Sequence, residues 1–289
     1  MRTPQAGPRA AIGWMLAATL LFAGMNAAAK ALGTGYSALQ LIFFRNLFAL
    51  LPLAVALIRR NGSVAHLHTR RPLGHALRAV AGLASLACFF YAYARLPLAI
   101  VSAISFAAPF CVATLSRPLL GEPVGRRRLA GIVIGFVGIL VIVRPTARLE
   151  LAVAAAIAAT LLYALVMIFM RQLNRTEQPA AIVFYYLISS VALSGVALPV
   201  VWTTPDLTGW LLFLSLGLFG GFAQLAMTIA FRHGDAALVA PFDYATILWS
   251  TLIGGFGWHE WPGPRLWLGI AIVVGSGLWL ARTERRHTR

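Results

Sequence analysis

Ten apolar stretches divide this chain, at 11–32, 37–58, 73–94, 98–118, 129–143, 151–170, 180–200, 209–231, 236–257 and 264–281. Most hold about 20 residues, enough at ~1.5 Å rise per residue to cross a hydrocarbon layer ~30 Å thick. Polar residues collect in the short connections, which leave no room for a soluble catalytic domain. The pattern predicts an all-α integral membrane protein of ten transmembrane helices, with the lipid bilayer as its first partner.

The connections alternate in charge. Arg59, Arg60, Arg70 and Arg71 fall between spans 2 and 3, and Arg117, Arg126, Arg127 and Arg128 between spans 4 and 5. Arg171, Arg175 and Arg232 occupy the next two even-to-odd connections, while Arg2 and Arg9 precede the first span and Arg282, Arg285, Arg286 and Arg289 follow the last. The other connections hold Arg95, Arg144, Arg148 and Arg265 alone. This is the positive-inside pattern, with both termini cytoplasmic. It also supports the span count, since one missed span would scramble the alternation beyond it.

Composition agrees: 60% of residues are hydrophobic and 11% charged, where soluble domains carry about a quarter charged. A net charge of +16 would suggest nucleic acid in a soluble protein. Here the arginines are spent on topology, and no nucleic-acid partner is expected. Cys88 and Cys111 both fall within spans, against a disulfide framework. The basic start, apolar stretch and Ala27-Ala28-Ala29 imitate a signal peptide. An uncleaved first span is expected instead, because cleavage would remove the partner of span 6.

That partnership comes from an internal repeat. Ala18-Thr19-Leu20-Leu21-Phe22-Ala23 returns as Ala159-Thr160-Leu161-Leu162-Tyr163-Ala164, and the same offset lays Lys30 on Arg171. A second offset lays Ala92 to Leu140 over Ala230 to Leu278, matching Ala99 with Ala237, Val101 with Val239, Glu122 with Glu260, Gly125 with Gly263 and Gly131 with Gly269. Two copies follow, at 11–143 and 151–281. Five spans is an odd number, so the second copy is inverted relative to the first. Inverted repeats are the architecture of alternating-access transporters, whose substrate sites lie near the midplane between the repeats.

Ile104-Ser105-Phe106-Ala107-Ala108-Pro109, Gly121-Glu122, Gly131 with Gly135-Phe136-Val137-Gly138, and Arg144-Pro145 resemble the EamA type of the drug/metabolite transporter superfamily. Ala240-Pro241-Phe242-Asp243-Tyr244, Trp249, Glu260 and Gly275-Ser276-Gly277 resemble its second half. The resemblance covers nearly the whole chain and implies a ten-span secondary transporter of the bacterial inner membrane. Within the family, the chain is similar to members handling amino-acid-derived or nucleoside-like zwitterions, including exporters of opine-type metallophores such as pseudopaline. For such exporters the resemblance implies a separate outer-membrane exporter in the same pathway, and leaves monomer and homodimer open. Two departures stand out: His259-Glu260 replaces Gly121-Glu122, and Tyr186 stands opposite Arg45.

Of eight acidic residues, Asp243 alone lies well inside a span. A buried carboxylate is costly in lipid unless it meets water, a cation or substrate. It reads as a proton carrier or partner of a substrate ammonium, or as half of a permanent ion pair with Arg78 or Arg45. Beside it Tyr244 can stack and donate a hydrogen bond, and the repeat sets Ser105 and Phe106 opposite Asp243 and Tyr244. Pro241 and Pro109 free the Ala237 and Ser105 carbonyls. Arg45, with Asn46 beside it, offers a planar fork to a substrate carboxylate or closes an ion pair. Gln40 lies one turn nearer the surface. Lys30, the sole lysine, is either a substrate contact or a snorkelling side chain. Arg78 is expected to snorkel. Asn26 and Gln224 are pocket contacts or interhelical hydrogen bonds, and Gly131, Gly135, Gly138, Gly217, Gly220 and Gly221 permit close helix packing.

Together an acid and buried cations suit a small zwitterionic substrate. Glu122 and Glu260 are expected to cap the next helix or pair with an arginine. His66, His68 and nearby His75 read as a solvated basic loop, so no metal site is expected. One intramembrane acid cannot hold the magnesium of a prenyltransferase, and no phosphate-binding loop occurs; neither enzyme activity nor a cofactor is expected. A channel remains the other membrane class. Export of an amino-acid-derived metabolite is the expected direction, with uptake of S-adenosylmethionine, riboflavin or another nucleoside-like compound as the alternative.

Overall fold

The computed structural model describes residues 8–58, 69–120, 126–143, 150–174, 176–233 and 240–285. The first half contains α1 (Pro8–Leu32), α2 (Ala38–Ile58), α3 (Pro72–Tyr93), α4 (Leu98–Ser105), α5 (Ala108–Leu120) and α6 (Arg126–Val143). The second contains α7 (Leu151–Leu173), α8 (Pro179–Val201), α9 (Leu207–His233), a 3₁₀ turn (Ala240–Tyr244), α10 (Ala245–Trp258) and α11 (Pro264–Arg285). Six of these helices are individually long and apolar enough to cross a membrane: α1, α2, α3, α7, α8 and α9.

Local chemistry sets the helix limits. Pro72 and Pro179 stand in first turns, where the missing N–H costs nothing. Asp206 caps α9, its carboxylate accepting the Gly209 N–H at 2.7 Å. Gly33 ends α1 at φ 56. After α10 that left-handed position is taken by His259 at φ 58, a conformation that costs a side-chain-bearing residue about 1 kcal/mol. The turn returns the Glu260 N–H to the Gly254 carbonyl at 3.0 Å and so aims Glu260 back at the bundle.

Spans 4 and 9 are not the continuous helices that the hydropathy predicts. Span 4 breaks at Phe106 and Ala107 between α4 and α5. Pro109 cannot donate to the Ser105 carbonyl, and the Ser105 hydroxyl turns back to Ser102 O at 2.7 Å. Span 9 passes through the 3₁₀ turn before α10, so Asp243 occupies a break and not the middle of a helix. The first predicted residues of span 9, 236–239, lie outside the described residues, as do His66, His68, Glu122, Asp235 and the Arg144-Pro145 pair.

Packing follows the repeat. α1 lies against α9 as α7 lies against α3, and α2 meets α9 as α8 meets α3. α2 packs on α8, α4 on α10, and α6 on α11, each an element against its own equivalent or that equivalent's continuation. This is the ten-span fold of two inverted five-span repeats. Small residues let the backbones close: a methyl on Gly217 would collide with Phe48, and one on Gly221 would stand 2.7 Å from Pro52. Gly138 likewise abuts Ile272 and Val273 of α11. Outside, Val196, Val200 and Phe256 remain more than three-quarters or about three-quarters exposed, a surface that suits lipid and not water.

Candidate functional site

The two breaks meet. Phe106 and Tyr244, which the repeat makes equivalent, face each other with ring centroids 4.7 Å apart and planes tilted by 37°. Below them Ser102 and Ser250 share a hydrogen bond of 2.8 Å, joining α4 to α10. Asp243 stands at this joint, half-buried, and among the described residues its carboxylate has neither a hydrogen bond nor an ion pair. The permanent ion pair with Arg78 or Arg45 is therefore not formed. Tyr163 of α7 is within electrostatic reach of Asp243, Tyr186 and Arg78. It keeps 37% of its surface accessible.

Arg78 does not snorkel. It is 7% exposed, donates from Nη1 to the Ile182 carbonyl at 3.0 Å, and stacks over the Tyr186 ring at 4.6 Å. Its Nε has no acceptor, and Nη2 faces only the Met170 sulfur at 3.9 Å. Tyr186 can lie there because residue 82 is glycine: a methyl on Gly82 would stand 2.6 Å from the ring. Arg45 is in electrostatic reach of Arg78. Its Nη1 donates to Asn46 Oδ1 at 2.8 Å, its Nε is an orphaned buried donor, and it lies along Gly220, where a methyl would stand 3.2 Å from Nε.

These contacts are two versions of one joint. The offset that lays Ala92 on Ala230 also lays Gly82 on Gly220, and Arg45 stands opposite Tyr186. So α2 presents an arginine to α9 where α8 presents a tyrosine to α3. Arg78, Tyr163 and Tyr186 complete the cluster that sequence reasoning assigned only in part. The shared Gly82–Gly220 register was the available signal.

The other candidates sit elsewhere. Asn46 Nδ2 is bonded to the Ile42 carbonyl at 2.8 Å and orients Arg45. Gln40 spends its amide on Thr203, donating at 2.7 Å and accepting at 3.1 Å. Asn26 is buried within hydrogen-bonding reach of Tyr93, which also reaches Ser102, forming an interhelical cluster. Gln224 is half-buried on α9 with no side-chain hydrogen bond among the described residues.

Lys30 neither snorkels nor joins Asp243. Its ammonium donates to Glu260 Oε1 at 2.7 Å and to the Leu96 carbonyl at 2.8 Å, with the Trp258 ring 5.6 Å away. Glu260 thus pairs with lysine and neither caps a helix nor meets an arginine. Beside this end a cavity of about 380 Å³, lined by Tyr36, Tyr91, Arg95 and Thr203, reaches Leu41, one turn from Arg45.

At the opposite end His75 is a buried member of α3, not a loop residue. It lies 4.8 Å from the Tyr185 ring and 3.8 Å from Glu177 Oε2. Glu177, between α7 and α8, accepts the Arg70 N–H at 3.0 Å. Burial raises its pKa, but the Arg70 N–H, the Thr69 hydroxyl and His75 together hold it below the ordinary value. Among the described residues, no three His, Cys, Asp or Glu side chains gather to hold a metal.

Comparison with known proteins agrees with this architecture. The EamA-like transporter family matches residues 9–144 and, a second time, 150–282. The pseudopaline exporter CntI of Pseudomonas aeruginosa (strain UCBPP-PA14) is 30% identical over 274 residues, 93% of this chain and 94% of that protein. A riboflavin transporter of Brucella anthropi is 29% identical over 95% of this chain and 99% of its own. An S-adenosylmethionine uptake transporter of Rickettsia bellii is 25% identical over 95% and 94%. A solved crystal structure shares the fold with a TM-score of 0.67 at 21% identity, covering 97% of this chain and 99% of that one.

Proposed function

Because the chain belongs to the EamA-like transporter family, and is thus a multi-pass membrane transporter, we propose that it exports a small zwitterionic, amino-acid-derived metabolite by alternating access. The carrying observation is the unpartnered Asp243 at the joint of two broken helices, with Tyr163 in its electrostatic reach. An acid poised there serves as proton carrier and takes a substrate ammonium, while a guanidinium takes a carboxylate. Tyr244, Phe106 and Ser105 wall the joint, and Asn46 positions Arg45. The moving units are the halves 11–143 and 151–281, working as a monomer or homodimer in a bacterial inner membrane. The arginine pattern puts both termini in the cytoplasm. Lys30–Glu260 then closes the periplasmic end.

Proton antiport through Asp243 drives outward movement, and an opine metallophore is the substrate type most in keeping with the similarity to CntI. Such a route continues through a separate outer-membrane exporter. The riboflavin and S-adenosylmethionine relatives favour a second reading, uptake or exchange of a nucleoside-like metabolite. Metabolite profiling of cells and medium with and without the gene separates the two. Deletion is expected to deplete one amino-acid-derived compound from the medium and enrich it in the cytoplasm. No such shift, or loss of riboflavin or S-adenosylmethionine from the cytoplasm, would overturn the export reading.

A further inference from the structure

We propose that His75 and Glu177 form a second proton-binding site, which loosens the joint between α3 and α8 at the cytoplasmic end when it takes up a proton. The repeat shows what this joint is. The offset that lays Arg45 on Tyr186 also lays Tyr36 on Glu177 and Phe44 on Tyr185, and the one that lays Gly82 on Gly220 lays His75 on Phe213. The structure builds the same joint from both sets. His75 and Tyr185 face each other with centroids 4.8 Å apart and planes tilted by 44°; Phe213 and Phe44 do so at 4.7 Å and 40°. Glu177 then approaches His75 at 3.8 Å where Tyr36 meets Phe213 edge-on at 5.0 Å. One joint is aromatic throughout, and the other, in the same backbone frame, is a histidine, a tyrosine and a carboxylate. By the arginine pattern the first lies outside and the second faces the cytoplasm, a sidedness that rests on the transporter reading above.

Phe213 shows that an apolar ring meets the packing needs of this position, so the histidine calls for another reason. His75 is 4% exposed, and among the described residues neither ring nitrogen has a hydrogen-bond partner; the 3.8 Å to Glu177 is too long for one. Buried orphans ask for an explanation, and a ring that exchanges a proton near neutrality supplies one. The groups facing the ring are Glu177 from the α7–α8 turn, Tyr185 from α8 and Arg78 one turn along α3. Glu177 attracts a charged ring and Arg78 repels it, so the two oppose each other and the cost of burying the charge decides. Glu177 is not free to close on the ring, since its carboxylate already holds the Arg70 N–H at 3.0 Å and the Thr69 hydroxyl. A proton from cytoplasmic water therefore favours an opened joint, in which the ring is hydrated, over the closed one. Glu177 is held below its ordinary value, so its own protonation belongs to a more acidic range and loosens the same joint. The aromatic joint has no such response, because Phe44 and Phe213 do not titrate.

The test is hydrogen–deuterium exchange on the purified full-length protein in detergent, at about pH 8 and about pH 5.5, with labelling times scaled for intrinsic exchange. Exchange at 69–82 and 176–187 is expected to quicken at least about threefold at the lower pH, within the roughly tenfold limit for one histidine a pH unit below its ordinary pKa. The equivalent segments 207–220 and 33–48 should stay unchanged. His75→Phe with Glu177→Tyr copies the aromatic joint into the cytoplasmic end and should abolish the response while keeping protection. Slower exchange in acid, equal responses at the two ends, or no response at either overturns the proposal, and this wild-type comparison needs no variant. A response that persists in the folded double variant also overturns it. Exchange reads no transport, so these outcomes leave the export reading standing, just as a failed metabolite profile leaves this joint untouched.

Discussion

On the first repeat, α2 lays Arg45 along Gly220; at the equivalent place on the second, α8 lays Tyr186 across Gly82. The backbone joint is shared, down to the glycine that admits the side chain, but the chemistry is not. The same holds at the helix breaks, where the Ser105 hydroxyl closes on its own helix and the Asp243 carboxylate has no hydrogen bond or ion pair among the described residues. Duplication supplied two similar scaffolds, and the positions at which they diverge are those left with unpaired charge.

The strongest way to break this comparison is to exchange the two polar residues at the breaks. If the halves were chemically equivalent, Ser105→Asp with Asp243→Ser would transport normally. Instead the double variant is expected to lose at least about tenfold in transport rate, since Tyr163, in electrostatic reach of Asp243, has Phe22 as its counterpart in the other repeat. Vesicle transport at matched expression checks this.

A smaller effect should follow from filling the shared glycine. Gly82→Ala places a methyl 2.6 Å from the Tyr186 ring and is expected to cost ~1–3 kcal/mol, as overpacked cores do. Tyr186→Ala in the same chain should recover part of that loss, a coupling read from a double-mutant cycle on unfolding midpoints. An additive cycle would mean that the ring does not depend on this contact.

The end contacts differ as well. Lys30→Met strands Glu260, whose Oε2 already lacks a partner, and should destabilise by ~1–3 kcal/mol, moderated by the partial exposure of the carboxylate. Lys30→Met with Glu260→Met should be milder than Lys30→Met alone.

The smallest expected effect is at the opposite end. Because Glu177 titrates below its ordinary value, its contacts stabilise the fold above the carboxylate's unfolded pKa. That stability is lost as pH falls through the folded one. Glu177→Gln should lower the unfolding midpoint slightly near neutrality, where the ionised carboxylate contributes, leave it little changed below the folded pKa, and so flatten its fall through the acidic range.

Much of this was legible in the chain. Apolar runs and alternating arginines identify the spans, and an odd-numbered repeat makes the halves inverted. Asp243 stands out because a carboxylate is rare inside a span. The rest depends on contacts that no local pattern encodes. Lys30 and Glu260 are far apart in sequence, so lysine in an apolar run read as a substrate contact or a snorkelling cation. Arg78 and His75 near the start of α3 looked close to water, yet α7 and α8 cover them. Tyr163 and Tyr186 carry no signal of their own, since aromatic residues are common in any span. The break in span 4 was half-visible: Pro109 marks a lost hydrogen bond, but apolar residues on both sides conceal that the helix stops.

The central claim is that Asp243, released from any protein partner, couples transport to protons. Proteoliposomes containing wild-type or Asp243→Asn protein, loaded with the compound identified by profiling and given an imposed pH gradient, test it directly. Gradient-driven movement is expected in the wild type, and its loss in Asp243→Asn. Wild-type rates in Asp243→Asn, with the same dependence on pH, would contradict it.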